Sequence, residues 1–212
     1  MLLSLANLSS IQIFAIDYSL SPESIFPQAI NDAIESYNAL LSRGFKSENI
    51  FFGGDSAGGN LSLVCTLKLQ DLNQDLPSKL FLLSPWTDLT GEGRSIKENS
   101  KSDPYLSYDN WLNTSLSMQK TVKEWYAPNQ SYKNPLISPV FAKYSNFPET
   151  LIQVSDIEIL FSDSIDVASQ IKEGGNKVKL SIYKNLPHVW QIFGFLPEAK
   201  VAIKEISEFL SV

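Results

Sequence analysis

Phe52-Gly53-Gly54-Asp55-Ser56-Ala57-Gly58-Gly59-Asn60 places a serine in a Gly-x-Ser-x-Gly pattern, between a short apolar run and a segment of helical period. A serine on so tight a strand-to-helix turn is held in a strained backbone conformation with its Oγ exposed. Side chains at the flanking glycines are expected to collide with the neighbouring strand and helix. The free N–H groups of the helix start, Ala57 first among them, aim their partial positive charge at any oxyanion formed on Ser56. The same residues could also be a plain glycine-rich helix cap, so the pattern needs a base to mean catalysis.

A serine hydroxyl is a poor nucleophile until a base takes its proton. The sole histidine, His188, lies in Asn185-Leu186-Pro187-His188-Val189-Trp190-Gln191, after the last strand-like run and before the last helical one. A lone histidine is more often a surface or satisfied core residue. Here the chain order Ser, acid, His and the loop position match a hydrolase triad. The acid belongs in the turn after a strand at Thr150–Val154, where Asp156 and Glu158 both stand. Spacing does not choose between them, and either could be a first-turn helix acid instead.

These residues need a frame. Gln12–Asp17, Ile50–Gly53, Lys79–Ser84, Thr150–Val154 and Lys177–Tyr183 read as short buried strands. Gln28–Arg43, Asn60–Leu72, Asp163–Glu173 and Pro197–Leu210 carry helical stripes, with Gly44 and Gly174-Gly175 as stops and Pro197 as a start. Alternation of this kind predicts an α/β fold, a mostly parallel sheet with helices on both faces. Residues 85–148 show no obvious strand and only a helical patch near Tyr108–Tyr126, so they read as a cap or lid inserted in a single domain spanning 1–212. Trp86, Tyr105, Trp111 and Trp125 would line a substrate site from that insertion or pack within it.

Composition narrows the function class. The chain has 212 residues, 43% hydrophobic and 19% charged, as expected of an ordinary globular domain. A net charge of −6, with 17 scattered Lys and Arg, disfavours nucleic acid and anionic membranes as partners. A small neutral or apolar molecule fits better. No stretch approaches the roughly 20 apolar residues of a membrane span. Met1–Ala6 lacks a basic flank and reads as part of the fold, so no export signal is visible and a cytoplasmic location is expected. The single cysteine, Cys65, sits among leucines as a buried, inert thiol, and one His with one Cys makes a metal site unexpected. The Asn-x-Ser/Thr sites at Asn7, Asn60, Asn113 and Asn129 carry no weight without a secretory signal.

Taken together, the motifs resemble the bacterial-type hormone-sensitive-lipase esterases of the α/β-hydrolase fold. Gly54-Asp55-Ser56-Ala57-Gly58-Gly59-Asn60 matches their nucleophile motif. Asp17-Tyr18-Ser19-Leu20-Ser21-Pro22-Glu23 is similar to their Asp-Tyr-Arg-Leu-Ala-Pro-Glu. Ser84-Pro85-Trp86-Thr87-Asp88-Leu89-Thr90, Asn134-Pro135-Leu136-Ile137-Ser138-Pro139 and His188-Val189-Trp190-Gln191 resemble later signatures. The resemblance implies hydrolysis of short- to medium-chain carboxylic esters through an acyl-enzyme, with no cofactor. It favours Glu158, which precedes Leu160 as the family's acid precedes a leucine, and keeps Asp156 as runner-up. A non-catalytic remnant, or an acyltransferase or amidase with the same triad, are the alternatives.

One family signature is missing. The His-Gly-Gly-Gly stretch that supplies half of the oxyanion hole has no counterpart here, which leaves Ala57 N–H as the other donor. Losing one donor costs on the order of 10²–10³ in rate. The chain is therefore expected to be an N-terminally truncated version of a longer esterase. Its Gln12–Asp17 strand would lose both sheet neighbours, and its Ile50–Gly53 strand would gain an exposed apolar edge.

Overall fold

The structure, a computed structural model, describes residues 1–106, 120 and 122–211. Trp111, Asn113 and most of the Tyr108–Tyr126 patch lie outside the described residues. Four parallel strands, β1 (Phe51–Asp55), β2 (Lys79–Leu83), β3 (Glu149–Ser155) and β4 (Val178–Tyr183), stand side by side in sequence order. Helices α1 (Leu2–Ser9), α2 (Gln28–Ser42), α3 (Ala57–Asp71), α4 (Arg94–Glu98), α5 (Phe161–Glu173) and α6 (Pro197–Leu210) complete the regular elements named below.

The period of two in a strand sorts its side chains onto the two faces of the sheet. Leu80, Leu82 and Ile152 join Leu63 and Leu67 of α3 and Val167, Ala168 and Ile171 of α5 in one core. The neighbours one step along, Leu83 and Leu151, face Leu5 of α1 and Ile203, Ile206 and Leu210 of α6 in another. Helices thus cover both faces, as the alternation predicts. On α2, Ala33 and Tyr37 of the apolar stripe pack on Cys65 and Leu69 of α3. Burial pushes the Cys65 thiol up to about 12, so it stays protonated.

Two readings of the N-terminal region meet different fates. Met1–Ala6 is part of the fold: it opens α1, whose eight residues are too few to be helical alone in water. Leu5, 1% exposed, anchors the helix in the core shared with α6. The strand expected at Gln12–Asp17 does not form. An extended segment is a strand only when a neighbour takes its N–H and C=O groups, and β1 is paired on the β2 side alone. Ile11 and Ile13 instead pack against the α1–α6 core, and Phe14 meets Phe45 edge to face. Phe14 and Ile16 remain half exposed. The edge position of β1 agrees with expectation.

Among the described residues of 85–148 there is no strand, only α4, a wide turn at Val122–Tyr126 and a short 3-10 turn at Pro139–Phe141. Asp163 and Asn60 hold this excursion to the domain. The Asp163 Oδ2 accepts the Thr87 and Asp88 N–H groups, both at 2.8 Å. The Asn60 Nδ2 donates to the Trp86 and Ile137 carbonyls. Asn60 is buried by these bonds, a structural use of the last residue of the serine motif.

Candidate active site

The carboxyl ends of parallel strands are where an open α/β sheet leaves its crevice. Four turns converge there. Ser56 follows β1, Ser84 follows β2, the Asp156–Glu158 turn follows β3, and His188 lies beyond β4.

Ser56 sits at φ 50°, ψ −115°, a conformation an L-residue adopts only under constraint. Three backbone bonds impose it: Ser56 N–H donates to the Leu83 carbonyl, and the Ser56 carbonyl accepts the N–H groups of Asn60 and Trp86. The expectation about its glycines is half right. A Cβ at Gly54 would lie 2.4 Å from the Gly58 backbone, so no side chain fits there. A Cβ at Gly58 would meet nothing within 4 Å, so space does not require that glycine. The first residue of α3 is Ala57, whose N–H has no place in the helical ladder and is free to face an anion.

Glu158 is fully buried, and His188 is 5% exposed. Glu158 Oε2 lies 2.6 Å from His188 Nδ1. The other oxygen, Oε1, accepts the Ser155 N–H at 2.7 Å and the Ser84 hydroxyl at 2.8 Å. With His188 as the donor of this contact, the proton lies on Nδ1 and Nε2 is the ring nitrogen left as acceptor. Ser84 was not singled out as a site residue by the sequence. Its own signal is weak: one serine before Pro85, at φ 46° and buried.

Asp156, the runner-up, is elsewhere. Its Oδ1 accepts the Asn185 N–H at 2.9 Å and so braces the turn leading to His188. Ser56 and His188 line one cavity of about 250 Å³ together with Asp55, Tyr105, Leu106, Val189 and Ile192. The Tyr105 ring lies 25° from the His188 plane, with centroids 6.2 Å apart. A second cavity of about 210 Å³ is bordered by Ala57, Tyr18, Leu20, Trp86, Leu89 and Tyr126. The two cavities thus flank consecutive residues, Ser56 and Ala57. Burial pushes the Tyr126 hydroxyl up to about 12, with Tyr18 adding to it, and burial also raises Tyr18, so both hydroxyls of this mostly apolar space stay uncharged. Of the aromatics named from sequence, Tyr105 lines the first cavity and Trp86 the second, while Trp125 lines neither.

Comparison with known proteins agrees with this architecture. A family model described as alpha/beta hydrolase fold matches residues 1–192. An esterase of Acinetobacter venetianus is 34% identical over 206 residues, covering 97% of this chain and 66% of that protein. A hormone-sensitive lipase from a metagenome library superimposes with a TM-score of 0.90 at 38% identity, covering 98% of this chain and 69% of that one. The esterase EstE5, in a crystal soaked with p-nitrophenyl butyrate, gives a TM-score of 0.90 at 33% identity over 98% of this chain and 67% of its own. The chain therefore spans about two thirds of the length of these relatives. Among the described residues, no helix is long and apolar enough to cross a membrane. The chain belongs to the α/β-hydrolase family, in its bacterial hormone-sensitive-lipase branch.

Proposed function

We propose that the chain hydrolyses small carboxylic esters of short to medium acyl length, with Ser56 as nucleophile, His188 as base and Glu158 as the acid that orients it. The observation that carries this reading is the 2.6 Å contact between Glu158 and His188, with His188 and Ser56 lining one cavity. His188 Nε2 takes the Ser56 proton as Oγ attacks the ester carbonyl. The resulting oxyanion turns toward the Ala57 N–H at the α3 start. Collapse releases the alcohol, which takes the proton from His188, and leaves an acyl-Ser56. Water, deprotonated by His188 in its turn, then cleaves that ester. The apolar cavity beside Ala57, with Trp86 and Leu89 from the 85–148 cap, takes an uncharged chain of the substrate.

The test is hydrolysis of p-nitrophenyl acetate and butyrate by purified chain, beside Ser56→Ala and with a serine-directed fluorophosphonate. The expected outcome is turnover and covalent labelling that Ser56→Ala abolishes. Folded protein with neither would overturn the reading for this chain and favour a binding remnant.

A further inference from the structure

The loop that bears Glu158 is gripped from outside the sheet by one short turn. Asn99 Nδ2 donates to the carbonyls of Asp156, at 2.9 Å, and Glu158, at 2.8 Å. The Ser102 hydroxyl donates to the Ile157 carbonyl at 3.3 Å. The carboxylate of Asp103, 1% exposed, completes the grip: its Oδ2 accepts the Ile159 N–H at 2.9 Å. Every backbone group so named belongs to the four residues 156–159. The second oxygen of Asp103 faces the other way. Oδ1 accepts the N–H groups of Tyr105 at 2.9 Å and Leu106 at 2.8 Å. Those two residues line the cavity shared by Ser56 and His188, and the Tyr105 ring lies along the imidazole.

We propose that Asp103 is a positioning residue for His188, because its single carboxylate joins the loop that carries Glu158 to the turn that carries Tyr105. Glu158 holds the imidazole at Nδ1 while Tyr105 bounds its face, and Asp103 sets the spacing between the two. A carboxyl group suits this place because both its oxygens can accept, and three N–H donors converge on them from two segments. An amide of the same shape must turn its NH₂ toward at least one of those donors, which opposes donor to donor. The consequence for catalysis rests on the hydrolase reading, whereas the geometry can be read without turnover.

His188 is the only histidine, so the protein has a single set of imidazole NMR signals. In the unaltered chain, the Tyr105 ring current is expected to displace the His188 ring protons, and the Glu158 contact to move the Nδ1 proton far downfield. Tyr105→Leu is expected to abolish the displacement and keep the downfield proton. Asp103→Asn is expected to lose the displacement as Tyr105→Leu does, and also to broaden or lose the downfield proton. Asp103→Glu, which keeps the charge but moves the carboxylate by one methylene, is read the same way and covers the case in which Asp103→Asn fails to fold. A folded Asp103 variant with a lowered Tm and unchanged His188 signals would overturn the proposal and leave Asp103 a merely structural residue. So would a Tyr105→Leu spectrum identical to that of the unaltered chain.

Discussion

The two halves of the site are built to different standards. On the acid side, Glu158 is fully buried, and its carboxylate is held by Ser84, by the N–H of Ser155 at the end of β3 and by His188. On the nucleophile side, Ser56 follows the edge strand β1, Ala57 is exposed, and segment 11–17 joins no strand among the described residues. The difference separates two demands of the proposed chemistry. Preparing a base is a matter of local hydrogen bonds, and residues 84–188 contain all the groups required. Stabilising an oxyanion takes convergent donors, and the donor beside Ser56 among the described residues is the Ala57 N–H at the helix start. On the proposed reading, the acid side governs proton transfer and the nucleophile side governs oxyanion stabilisation.

The largest effect expected within that comparison separates the two candidate acids. Glu158→Gln keeps the shape but removes the charge that holds the Nδ1 proton, so ester turnover should fall by on the order of 10³–10⁴. Asp156→Asn should stay within a few fold, because Asp156 touches the Asn185 N–H and not the imidazole. Steady-state kinetics on p-nitrophenyl butyrate decides between them. Equal losses would show that the acid side is a diffuse network and not a single contact.

Much of this asymmetry was legible in the sequence, and the reasons differ by residue. Ser56 and His188 stand out because one lies in a Gly-x-Ser-x-Gly turn between a strand and a helix and the other is the sole histidine, in a loop that follows it in the chain. Helix α6 was read to its limits, since Pro197 starts it and Ala202, Ile203 and Ile206 recur at helical spacing. The segment Gln12–Asp17 misled because a short apolar run reports only a capacity for pairing, and a strand exists only if a partner takes its backbone groups. Ser84, Asn99 and Asp103 were invisible for a different reason. Their role is to bond backbone or a carboxylate across 56 to 74 residues of chain, and such contacts leave no local pattern.

A second prediction tests how firmly α5 is tied to residues 87–88. Burial pushes the Asp163 carboxyl up to about 8, against the Thr87 and Asp88 N–H bonds that favour its charged form. Its other oxygen, Oδ1, is buried without a partner, as suits a protonated acid. A raised folded-state value means that the folded chain holds a proton the unfolded chain has already released. The stability contribution is therefore fully present below about pH 4 and falls as pH rises, until it is lost above about 8. Asp163→Asn should flatten this slope in urea unfolding measured across that window. A slope that survives the substitution would assign it to other groups and loosen the link between residues 87–88 and α5.

The smallest effects sharpen the nucleophile side. Gly54 and Gly58 are equivalent in the motif, yet a Cβ on the first would strike backbone while a Cβ on the second would enter open space. Gly54→Ala must push α3 away from β1 and should destabilise the fold by about 1–3 kcal/mol. Gly58→Ala places a better helix former in the first turn of α3 and should stabilise by about 0.5–1 kcal/mol. Urea unfolding of both variants measures the contrast directly. If Gly58→Ala also lowers turnover while raising stability, the empty volume beside it belongs to the substrate, and the openness of the nucleophile side is functional. If turnover is unchanged, that volume is merely uncovered surface next to an unpaired edge.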